Sequence, residues 1–127
     1  PQSAFNSATT ALGKAGLSMP TDPRGWSQGT PRTGVIILPD PGSKGMLEDL
    51  CLRSVSGDRT IECVEDYFKC IKEKVGSLPR ELSKARVHAF LSSRPRPELL
   101  LGQAAHAGYW PWGSAAFDGL RGILGSL

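Results

Sequence analysis

A chain of 127 residues fits one domain and leaves no room for two sizeable cores. A net charge of +3 with a pI near 9.0 is too mild to mark a polyanion-binding protein by itself. There is no run of 18 apolar residues and no signal-peptide pattern, so the expectation is a cytoplasmic protein that does not span a membrane.

Hydrophobic residues make up 39% and charged residues 21%, an ordinary globular mix. The 15 glycines and 10 prolines gather at both ends and in a central loop, which predicts long loops rather than a disordered chain. The charge is unevenly placed. Residues 40–76 carry most of the acids, whereas residues 77–127 are basic on balance. A basic last third can face nucleic acid, although such a tilt is more often a solvated surface. The three cysteines, Cys51, Cys63 and Cys70, form no CxxC pair, which argues against a disulfide framework and a zinc site. Cys63 and Cys70 share one helical face and read as buried, reduced thiols.

In chain order, residues 3–16 read as a short helix. Its apolar stripe is Ala4, Phe5, Ala8, Ala11, Leu12 and Ala15, and Gly16 ends it. Residues 18–33 are loop-like, with room for a short strand at 25–29. Gly34–Leu38 (GVIIL) has the pattern of a strand buried on both faces, as in a parallel or mixed sheet. Pro39-Asp40-Pro41-Gly42 stops it. Gly45–Val55 predicts a helix with Met46, Leu47, Leu50, Cys51 and Val55 inward and Glu48 and Asp49 in its first turns. Thr60 caps a strongly amphipathic helix whose stripe is Ile61, Val64, Phe68, Ile71 and Val75, and Gly76 closes it. A further helix spans Pro79–Leu91, with Leu82, Ala85, Val87, Ala89 and Phe90 as its apolar side. A short apolar helix spans Leu99–Ala107, and an aromatic turn follows at 108–113. Ser114 caps the last helix, with Phe117, Leu120, Ile123, Leu124 and Leu127 as its stripe.

Three places invite a functional reading. The first follows the GVIIL strand, at the edge where α/β sheets bind ligands. There Gly42, Lys44 and Gly45 could hold an anion at a helix N-terminus. Alternatively, the carboxylates of Asp40, Glu48 and Asp49 could hold Mg²⁺, which prefers hard oxygen ligands. The bland reading is a turn followed by acids that cap a helix. The second place is His88, with His106 beyond it; neither has a Ser, Cys or Asp partner at a spacing that makes a catalytic set. The third is Trp110 in its aromatic turn, preceded by Arg94 and Arg96. Rings beside arginines can stack bases and pair phosphates, but a Trp-rich turn more often locks helices together.

Three segments, GVIILPDPGSKGMLEDLCL, KARVHAFLSSRPRPELLLGQAAHAGYW and PWGSAAFDGLRGIL, together resemble an uncharacterised prokaryotic family related to TOPRIM domains, the metal-binding α/β fold of topoisomerases, primases and OLD nucleases. The resemblance covers nearly the whole chain. It implies a helix-rich, partial TOPRIM-like α/β domain over residues 1–127 with a short mixed sheet. It also implies a Glu and a DxD that bind Mg²⁺ and steer phosphoryl transfer. No DxD occurs here, so those acids are expected upstream of Pro1. Glu48 sits at the family's recurring Leu-Glu-Asp position, while Pro41 departs from the family pattern beside Asp40. The expectation is part of a Mg²⁺-dependent nuclease or other nucleic-acid phosphotransfer protein. The alternative is a non-catalytic binding or assembly module, which binds an anion or forms a homodimer through an unpaired strand edge.

Overall fold

The structure, a computed structural model, describes residues 2–39 and 44–125. Six α-helices account for its regular structure: α1 (Gln2–Lys14), α2 (Leu47–Ser54), α3 (Arg59–Val75), α4 (Leu82–Ser92), α5 (Leu101–His106) and α6 (Asp118–Leu124), with a 3₁₀ turn at Ala115–Phe117 before the last. The chain forms two compact units, one from residues 1–45 and 119–127 and one from Met46–Asp118.

The first unit holds α1 and the long loop. The α1 helix ends as its sequence predicts. Gly16 takes a left-handed φ of 72°. The Leu17 amide reaches back to the Leu12 carbonyl and the Gly16 amide to that of Gly13, the paired bonds that close a helix around a C-terminal glycine. Only Phe5 of the predicted stripe is buried, with Ala8 and Leu12 half-buried.

The expected mixed sheet is absent, and the α/β assignment is overturned: among the described residues the fold is all-helical, with no sheet. GVIIL makes one antiparallel bridge, from Gly34 to Trp26, and then runs on unpaired, with Ile36 36% exposed. A strand needs a neighbour to complete its amides and carbonyls. The prolines at 20, 23, 31 and 39 remove donors from the segments that would supply one. Among the described residues there is therefore no sheet edge for a second copy to extend. Polar contacts hold the loop instead. The Ser27 amide donates to the Thr33 carbonyl at 2.8 Å. The Thr33 amide donates to Ser27 Oγ at 2.9 Å, and the Thr33 hydroxyl donates to the Ser18 carbonyl. Arg32 lies over the Trp26 ring, 5.5 Å from its centroid.

Two glycines permit this packing. A Cβ on Gly29 would lie 1.5 Å from Ser18 Oγ and 2.4 Å from its Cβ, and one on Gly34 would lie 2.9 Å from the Trp26 ring. Gly29→Ala is therefore expected to destabilise the protein by about 1–3 kcal/mol, the usual cost of forcing a side chain into filled space. A melting temperature unchanged from wild type would show that the loop rearranges freely.

The second unit is built on α4, which packs against both α2 and α3, while α2 also meets the 3₁₀ turn. The buried residues of α4, Val87, Phe90 and Leu91, stand at i, i+3 and i+4 on one face, whereas Leu82, Ala85 and Ala89 of the predicted apolar side are only half-buried, so the apolar side read from the sequence is only partly right. The core also takes Leu50 and Cys51 from α2, Val55 just after it, Val64 and Phe68 from α3, and Leu99, Ala104, Trp110 and Phe117 from the later segments. Full burial of one such aliphatic or aromatic side chain is worth about 1.5–3 kcal/mol.

The α3 helix starts one residue before Thr60. Its N-cap is Asp58, whose carboxylate accepts the Thr60 amide at 2.8 Å. Gly76, at a φ of 81°, ends it. Its central stripe is buried at Val64 and Phe68, but Val75 is 66% exposed. Cys63 and Cys70 are exposed as well, against the expectation of buried thiols. Each stands one position before a stripe residue, about 100° around the helix, which places it at the margin of the packed side.

Candidate functional site

The acidic segment after GVIIL comes first. Asp40 and Gly42 lie outside the described residues, while Lys44 and Gly45 are exposed. Glu48 and Asp49 fall in the first turn of α2. Both Asp49 oxygens are engaged: one accepts the Met46 amide at 2.8 Å, the other accepts the Ser83 hydroxyl of α4. Asp49 thus caps α2 and ties it to α4. Glu48 is half-buried and lines a small cleft with Lys84, Val87, His88 and Leu91. Burial, with Glu48 adding to it, pushes the Cys51 thiol up to about 11, so Cys51 is a packing residue and a poor nucleophile. Among the described residues no group of three or more His, Cys, Asp or Glu side chains could hold a metal ion. Of the three acids read as a Mg²⁺ site, Asp49 is thus engaged by Met46 and Ser83, and Asp40 lies outside the described residues.

Of the basic and aromatic candidates, Trp110 is built into the core. Trp110 is 4% exposed. Its ring stacks on Phe90 at 5.2 Å between centroids, and its indole N–H donates to the Leu101 carbonyl at 3.1 Å. Its faces are not open to a base, and it locks α4 to α5 as a buried aromatic with a satisfied polar handle. Arg94 lies 4.0 Å over the Phe90 ring and pairs with Asp58 at the start of α3. Arg96 pairs with Glu98 at 3.3 Å in an exposed setting. Arg86 pairs with Glu65, and Lys84 with Glu81. At least four of the six bases in residues 77–127 thus have acidic partners, which offsets the basic tilt of that third. The hydrogen bond and charge of Glu81 raise the Lys84 pKa. Asp58 shifts down because the Thr60 amide, and after it the Arg94 guanidinium, favour its charged form.

A different feature stands out. Between α3 and α4 runs an open groove of about 660 Å³, lined by Thr60, Cys63, Tyr67, Phe68, His88 and Ala89 among others. Its α3 rim carries Cys63 and Tyr67, and Cys70 follows one turn on. Tyr67 is 55% exposed. His88 is exposed on the α4 side; His106, in the last turn of α5, is far along the chain and lines a separate cleft with Arg96 and Gln103. Cys63, Tyr67 and Cys70 recur at steps of 4 and 3, a second stripe beside the one that packs at Val64 and Phe68. The spacing was visible in the sequence, but both cysteines read as core.

The charges of α3 are segregated along its length. Arg59 opens it, Glu62, Glu65 and Asp66 occupy its first half, and Lys69, Lys72 and Lys74, with Glu73, occupy its second. The helix dipole accounts for an acid near the start and lysines near the end. Glu65 is taken by Arg86. Asp66 and Lys69, in the middle of the helix, are accounted for by neither.

No helix among the described residues is long and apolar enough to cross a membrane. The model of a family described as "Protein of unknown function (DUF3226)" matches residues 1–127, and the chain belongs to that family. No curated protein and no solved structure matches it.

Proposed function

We propose that this member of the DUF3226 family is a non-catalytic assembly module that forms a homodimer through α3. The observation that carries this reading is the charge pattern of α3 beside its exposed apolar stripe. A two-fold axis across the helix sets one α3 antiparallel to the other, so the acidic half of each lies along the lysine half of its partner. Such an interface is self-complementary, as two-fold symmetry demands. A parallel pairing would set like charge against like. Tyr67 stands near the middle of the 17-residue helix, where an aromatic anchor contributes most.

A helix of this length is about 25 Å long. One helix pair sits at the small end of stable interfaces, so the dimer is weak and concentration-dependent. Phosphoryl transfer, which the TOPRIM resemblance implies, finds no support in the site: Asp49 is occupied structurally and the described acids do not converge.

Sedimentation velocity across a rising concentration series tests the proposal. The wild type is expected to pass from monomer to dimer below millimolar concentration, and high salt is expected to weaken that step. Tyr67→Glu, a substitution at an exposed position, is expected to remain monomeric with an unchanged circular dichroism spectrum. In parallel, a fluorescent DNA duplex at low salt is expected to show no binding. Tight binding with a steep salt dependence would favour the nucleic-acid reading instead.

A further inference from the structure

We infer that Cys63 and Cys70 form a peroxide-sensitive lock across the α3 dimer, in which each Cys63 joins Cys70 of the second copy. This inference rests on the dimer proposed above and adds a modification site to it.

The argument begins with what the two thiols cannot do within one chain. Both lie on α3, seven residues apart. Seven residues of helix span about 10.5 Å, whereas a disulfide needs Cα atoms within about 7 Å. An intrachain bond between them would require the helix to unwind. Cys51 is not an alternative partner, because it is buried on α2. The two exposed thiols can therefore pair only with thiols outside their own chain.

Antiparallel symmetry supplies those thiols. When the two-fold axis crosses α3 between Asp66 and Tyr67, residue 63 of one helix stands opposite residue 70 of the other, and the symmetry repeats the pair. The same axis lays the net-acidic half of each helix along the net-basic half of the other and keeps Tyr67 central, while Arg59 falls opposite Lys74. Apolar stripe and cysteine spacing thus share one axis, on which the two halves match in net charge. Oxidation then proceeds in two balanced steps. A Cys63 thiolate attacks one peroxide oxygen, breaks the O–O bond and becomes a sulfenic acid, and a hydroxide leaves that takes up the thiol proton as water. The Cys70 sulfur of the second copy next attacks the sulfenic sulfur, forms the S–S bond and expels the sulfenic oxygen as a second water. Each disulfide consumes two thiols and one peroxide.

The test treats the full chain with hydrogen peroxide, followed by non-reducing electrophoresis and peptide mapping, on wild type, Cys63→Ser, Cys70→Ser and the double variant. The expected result is a covalent dimer containing the Cys63–Cys70 peptide in wild type, and its near-complete loss in either single variant, since each then faces a serine. Equal cross-linking in a single variant, or Cys63–Cys63 and Cys70–Cys70 peptides in wild type, would overturn the lock by showing random collision or another register. A dimer in sedimentation with no cross-link at all sinks the lock and leaves the assembly proposal standing. A monomer in sedimentation removes both.

Discussion

Phe90→Ala is expected to lower the free energy of unfolding by about 3–5 kcal/mol, the range for removing a buried aromatic ring. Phe90 is fully buried. It stacks on Trp110, carries the Arg94 guanidinium on its ring, and lies on α4, which packs against both α2 and α3. Its loss leaves a cavity where three segments meet. Small domains have only about 5–15 kcal/mol of stability in total, so the variant should unfold at a far lower urea midpoint, with the same slope. A loss under about 1 kcal/mol would mean that Phe90 is not the keystone of this unit.

Asp58→Ala is expected to cost about 1–3 kcal/mol. It removes the N-cap of α3, worth about 1 kcal/mol on average, and also leaves Arg94 without its carboxylate. Asp58→Asn should cost less, because an amide oxygen can still cap the helix. The effect depends on pH with a definite sign. The folded pKa of Asp58 lies below its ordinary value, first through the Thr60 amide and then through Arg94. Its contribution is therefore fully present above the unfolded value of about 3.9 and disappears as pH falls through the lower folded value. Melts of wild type and Asp58→Asn should differ by a constant amount between neutral pH and about pH 5 and converge below about pH 4. A gap that persists undiminished into strong acid would contradict the assignment.

The helices of the second unit were largely legible from the sequence, because α2, α3 and α5 carry caps, glycine stops or clear apolar periods. The α3 helix is the best case: its period picked out Val64 and Phe68. Its cap was misread, since Asp58 and Thr60 both have capping oxygens two residues apart and only the tertiary pairing with Arg94 favours the acid. The strand failed for a reason that local pattern cannot reveal. GVIIL has the composition of a buried strand, but pairing is a property of its neighbours, and among the described residues only Gly34 finds one, at Trp26. Asp49 shows the same limit of local pattern: an acid at the start of a helix looks the same whether it binds a cation or bonds Met46 and Ser83. Cys63 and Cys70 were placed on one face correctly, but the width of the packed side was overestimated. That single error hid the stripe on which the assembly proposal rests.

The most direct measurement is a charge-swap experiment on α3. One variant carries Glu62→Lys and Asp66→Lys, which makes the helix basic throughout; a second carries Lys69→Glu and Lys74→Glu, which makes it acidic. Glu65 and its bond to Arg86 are left intact. Each variant alone should sediment as a monomer where wild type dimerises, and an equimolar mixture of the two should recover a dimer. If the mixture stays monomeric while both variants keep their helical spectra, or if each variant dimerises as wild type does, α3 is not the assembly surface.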